Sequence, residues 1–71
     1  MSDPLDISSE EVRIYMYAGG KQYGINNPVR LFVTDSGSHR VVDRFGWTHR
    51  PEPGWIAIKW MPYPGHPAFI A

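Results

Sequence analysis

The chain has 71 residues, no cysteine, and seven basic side chains against seven acidic ones. A chain this short holds one domain, rarely encloses a catalytic cavity, and without cysteine has neither disulfides nor thiolate metal sites. No apolar run approaches the ~18–20 residues of a membrane helix, and the start Met1-Ser2-Asp3-Pro4 lacks the basic flank and apolar stretch of a signal peptide, so the expectation is a soluble, cytoplasmic protein with no membrane partner.

Residues 1–11 read as an acidic, mobile leader, because they carry Asp3, Asp6, Glu10 and Glu11 and no Lys or Arg, with only Leu5 and Ile7 as apolar anchors. Ser8-Ser9-Glu10-Glu11 could cap one helical turn, but Val12-Arg13-Ile14-Tyr15-Met16-Tyr17 is β-branched and aromatic and alternates with period two. That pattern predicts a strand with Val12, Ile14 and Met16 on one face. Ala18-Gly19-Gly20-Lys21 follows as a turn, since paired glycines supply positive backbone angles. Gln22 to Asn27 is a short edge strand or an irregular loop, ending in an Asn-Asn-Pro loop signal.

Val29-Arg30-Leu31-Phe32-Val33-Thr34 is a second clear strand, with Pro28 at its first position, where a missing amide does least harm. The compact turn Asp35-Ser36-Gly37-Ser38 joins it to a third strand, His39 to Phe45, in a hairpin. Gly46 to Gly54, with Pro51 and Pro53, is a partly rigid loop. Trp55 to Met61 is apolar on both faces except at Lys59 and is the candidate central strand. The tail 62–71 has three prolines in its first six residues, so it runs extended, and Phe69 and Ile70 suggest docking on its own domain or on another copy. The domain proper is 12–61, mainly β: an antiparallel sheet of four or five strands, curled toward a half-barrel or sandwich.

From Val12 onward there are seven basic side chains and three acidic ones, leaving that part about four charges positive. If Val12, Ile14 and Met16 and likewise Val29, Leu31 and Val33 face the core, then Arg13, Tyr15, Tyr17, Arg30 and Phe32 share the opposite face. Rings that stack on bases beside guanidinium groups that pair with phosphates suit single-stranded nucleic acid. The alternative is that the tail or a second copy covers this face, so that its rings are plain core. In the 46–54 loop and just after it, Trp47, Arg50 and Trp55 either form an exposed protein-binding tip or close one end of the core.

His39, His49 and His66 are ten and seventeen residues apart, with no close ligand pair, and predict no metal site. Ser36 or Ser38 beside His39 and Asp35 has the residue types of a catalytic triad, but adjacency along a turn is not triad geometry. Gly19-Gly20-Lys21 lacks the remaining frame of a phosphate loop and does not open a helix. The expectation is therefore a non-enzymatic protein without cofactor. It would act as a stoichiometric inhibitor or adaptor binding a larger protein or nucleoprotein through Arg13, Tyr15, Tyr17, Arg30, Phe32, Trp47, Arg50 and Trp55. Its size and motif-free character resemble those of small phage-encoded proteins, anti-CRISPR inhibitors among them. A single-stranded nucleic-acid-binding module and a structural subunit such as a homodimer are the alternatives.

Overall fold

Strands dominate the computed structural model, which describes residues 3–65, and they divide between two antiparallel sheets. Seven strands run in chain order as β1 (Leu5–Asp6), β2 (Glu10–Met16), β3 (Gln22–Asn26), β4 (Pro28–Val33), β5 (His39–Asp43), β6 (Thr48–His49) and β7 (Ala57–Pro62). One sheet has the order β1-β4-β5-β6 and the other β3-β2-β7. Ile7, Tyr15, Ile25, Leu31 and Val41 form the buried core between them, with Tyr17, Val33, Trp55 and Ile58 packed against it. The β class and the sandwich-like arrangement hold, and the glycine turn forms as expected, with Gly19 and Gly20 at φ 80 and 83°.

Three expectations need correction. Within the expected mobile leader, residues 3–11 are built into the domain. β1 pairs with β4, Ile7 donates its amide to the Val29 carbonyl (3.0 Å) and is buried, and Glu10 and Glu11 begin β2. The turn after β1 is held by Asp6, whose carboxylate accepts from the Ser8 hydroxyl (2.6 Å) and amide (2.9 Å). Those two bonds lower the Asp6 pKa below its ordinary value. The second correction concerns Trp55 to Met61. Within it β7 starts at Ala57 and is an edge strand, paired with β2 alone. A run that is apolar on both faces reports two hydrophobic sides, not two neighbouring strands, and here β2 takes the centre of the smaller sheet.

Strand β2 also faces the other way from the expectation. Arg13 and Tyr15 point into the core, while Val12, Ile14 and Met16 are half-buried on the outer side. Alternation fixes which residues share a face, not which face turns inward. The inward arrangement places a buried polar chain in the core. The pairing register shifts between Glu10 and Val12, and this bulge brings Glu10 onto the same side as Arg13, although an even-spaced strand would set them on opposite faces. Arg13 Nη1 donates to both carboxylate oxygens of Glu10 (3.2 and 2.9 Å), and the pair is 6% and 3% exposed. Its Nε donates to the Tyr15 hydroxyl (3.2 Å), which lies 2.7 Å from His39 Nδ1 in the facing sheet. Arg13 also sits 5.5 and 5.7 Å from the ring centres of Tyr15 and Trp60. Arginine can only donate, so the phenol proton goes to His39 Nδ1, which is then the unprotonated nitrogen of a neutral ring.

Removing one member of a buried ion pair strands the other charge, at a cost of about 3–5 kcal/mol, whereas replacing both by apolar groups is close to neutral. Arg13→Met should therefore lower the urea midpoint sharply or unfold the chain. The double variant Glu10→Leu/Arg13→Met should recover most of the lost stability in the same denaturation series.

Candidate functional site

The β5–β6 hairpin ends in Asp43-Arg44-Phe45-Gly46-Trp47, and one carboxylate organises it. Asp43 Oδ1 accepts from the amides of Phe45 (2.9 Å) and Trp47 (3.0 Å). The main chain closes the same turn, with Asp43 N donating to Trp47 O (2.9 Å) and Gly46 N to Asp43 O (3.0 Å). Gly46 has φ 90°, a region that penalises a side chain, so glycine here lets the chain reverse. The turn directs the two flanking rings into solvent, and Phe45 is 74% and Trp47 72% exposed. The Arg44 guanidinium lies 5.2 Å from the centre of the Phe45 ring.

The other oxygen of the same carboxylate reaches inward. Asp43 Oδ2 is 2.8 Å from His49 Nε2, and His49 Nδ1 is 2.8 Å from the Tyr23 hydroxyl on β3. A carboxylate only accepts, so Nε2 carries a proton. In the neutral ring Nδ1 then accepts from Tyr23. This relay ties β6 of one sheet to β3 of the other. The bond from His49, followed by those from the Trp47 and Phe45 amides, holds the Asp43 carboxyl below its ordinary pKa against the opposing effect of burial.

Beyond Tyr23 opens a cavity of about 380 Å³ lined by Tyr17, Lys21, Gln22, Tyr23, Arg50, Pro51 and Glu52. The Tyr17 hydroxyl donates to the Glu52 carbonyl (2.8 Å) and fixes the rim against the end of β2. Pro51 is buried there.

The residues singled out from the sequence are dispersed rather than gathered. Arg13 and Tyr15 lie in the core, so in this fold they offer no partner a surface. Arg30 is exposed on β4, beside a shallow cavity that Leu5 and Asp6 also line, and Phe32 is half-buried. The shared arginine–aromatic face therefore does not form, because its two strands belong to different sheets. The tryptophans divide as well. Trp47 projects from the tip, while Trp55 packs edge-on against Tyr15 (5.1 Å) and lies 4.7 Å from the His39 ring, closing the core. Tyr17 and Arg50 meet at the cavity. Phe69, Ile70 and His66 lie outside the described residues.

Sequence reasoning missed Tyr23, Asp43, His49 and Phe45 as a connected unit. The available signal was Asp43-x-Phe45-Gly46-x, an aspartate two residues ahead of an amide it can cap, with a glycine completing the turn. Nothing in the spacing of His49 or Tyr23 announces the relay, since it forms between sheets. Among the described residues no group of three or more metal-ligating side chains converges. No family model, no curated protein and no solved structure matches the chain.

Burial, aided by the Arg13 charge, lowers the pKa of His39. The unfolded chain therefore takes up a proton below about pH 6.5 that the folded ring resists, and stability falls as pH drops through that range. Glu10 works the other way. Its pKa is raised by burial in spite of Arg13, so it opposes folding as pH rises through the carboxylate range. Between pH 7 and 5 the His39 effect should dominate. Thermal melts of the wild type should show stability falling over that interval, and His39→Asn, although less stable overall, should show a flatter dependence.

Proposed function

We propose that the protein is a non-enzymatic binding protein that docks on a larger protein or nucleoprotein through the Phe45–Gly46–Trp47 tip. The reading is carried by two large aromatic side chains standing largely in solvent on a turn pinned by one carboxylate. Exposed rings of this size cost solubility and suit a partner's apolar recess, where tryptophan, together with neighbouring arginine, supplies much of the binding energy. Because Asp43 already fixes the turn, little backbone entropy is lost on docking. Arg44 adds a cation at the rim of the same tip, able to pair with an acidic or phosphate-bearing edge.

The class that fits is a stoichiometric inhibitor or adaptor acting in the cytoplasm, of the kind that small phage-encoded proteins provide. The single-strand reading loses the open sheet face it rested on, since Arg13 and Tyr15 are core residues.

Phe45→Ser/Trp47→Ser alters only exposed side chains, so its melting temperature should stay within a few degrees of the wild type. A partner cross-linked to the wild-type protein and then titrated against both forms should bind the double variant at least about 100-fold more weakly, the loss expected of two central aromatic anchors. Equal affinity of the two forms would contradict the proposal.

A further inference from the structure

The cavity beside Tyr23 brings together two phenol rings, two cationic residues and one acidic residue, Tyr17, Tyr23, Lys21, Arg50 and Glu52. Among the described residues, neither the Lys21 ammonium nor the Arg50 guanidinium takes part in an ion pair or a side-chain hydrogen bond. Both are exposed, so each can meet an incoming anion without first breaking a contact. The rings, in contrast, are held. Tyr17 is anchored by its bond to the Glu52 carbonyl, and Tyr23 by His49, which Asp43 in turn orients. Rigid aromatic walls beside uncommitted cations are the complement of a flat ring carrying an anionic group.

The volume narrows the ligand further. About 380 Å³ lies near the lower end of the range for small-molecule sites and admits one base with its sugar and phosphate, not an extended strand. Glu52 and Gln22 supply the remaining polar atoms. A carboxylate can accept from adjacent N–H groups on one edge of a base, as guanine offers, and the Gln22 amide can both donate and accept.

We infer that this cavity is a binding site for a single guanine nucleotide unit. Lys21 and Arg50 meet the phosphate, Tyr17 and Tyr23 flank the base, and Glu52 takes its N–H edge. The unit comes either as free mononucleotide or as one nucleotide of a single strand. The site is separate from the aromatic tip, so each can fail without the other.

The probe is GMP, titrated into ¹⁵N-labelled full-length protein, with guanosine, inorganic phosphate and AMP run alongside. Saturable shifts at Tyr17, Lys21, Tyr23 and Arg50 with GMP are expected, and weaker binding of each of the other three. Lys21→Ala and Arg50→Ala should each weaken GMP by about tenfold, the loss of one charge-assisted contact, at unchanged melting temperature. Glu52→Gln should narrow the preference for GMP over AMP. A short guanine-containing single strand separates the two sources: tighter binding than GMP at the same residues assigns the site to a strand, and equal binding assigns it to the free nucleotide. The inference is overturned if GMP at several millimolar and the strand both leave these four amides unmoved, if inorganic phosphate binds as tightly as GMP, or if the two alanine variants bind GMP like the wild type. Because Phe45→Ser/Trp47→Ser leaves the cavity intact, that variant should bind GMP normally whatever its effect on a protein partner.

Discussion

The chain Glu10–Arg13–Tyr15–His39 is the constraint from which the rest of the architecture follows. It runs from a bulge at the start of β2, through the core, to the first residue of β5, and so joins the two sheets by polar bonds where a domain of this size has few apolar side chains to spare. A buried arginine is tolerable only when its charge is compensated and its donors are placed. Glu10 provides the first and Tyr15 helps with the second, while the ring of Trp60 lies within cation–π reach. Once Arg13 and Tyr15 point inward, Val12, Ile14 and Met16 have to occupy the outer side of the smaller sheet. Tyr15 then becomes the largest wholly buried side chain, with Trp55 as its lid.

The same strand that receives this chain at His39 ends at Asp43, the second organising group. One of its oxygens shapes the tip and the other holds His49 against Tyr23. The exposed aromatics and the neighbouring cavity are thus mounted on one rigid frame, although they offer different chemistry. The tip is apolar and projecting, suited to a recess on a protein. The cavity is aromatic and cationic, suited to a small anion with a flat ring. Placing recognition on short, hydrogen-bonded turns rather than on long loops keeps the cost of ordering low in a domain whose total stability is small.

Period-two patterning made β2, β4 and β5 legible, and the glycine pair and the Asp35–Ser38 turn marked where the chain reverses. What the pattern could not carry was sign and adjacency. Alternation at Val12–Met16 is equally consistent with either face inward, and the deciding bond from Tyr15 to His39 spans 24 residues. The apolar content of Trp55–Met61 suggested a central strand, yet β7 lies at an edge, because the strand beside it is chosen by tertiary pairing. The acidic start looked detachable, but Ile7 fills the core and Glu10 neutralises Arg13. For the site, the content of the 46–54 loop pointed to Trp47 and Arg50, while alternation pointed to Tyr17 only as part of a sheet face that does not form. Phe45, Tyr23 and the Asp43–His49 link were not identified, since a relay between sheets leaves no trace in local spacing.

That the Asp43 carboxylate pins the aromatic tip can be read from an amide proton NMR titration from pH 7 to 2.5. The Phe45 and Trp47 amide protons should shift together, with one apparent midpoint below the ~3.9 of an ordinary aspartate, while the Val41 amide stays in its folded position. Amides at Phe45 and Trp47 that fail to titrate, or that titrate separately, would show that the tip is not held by this carboxylate.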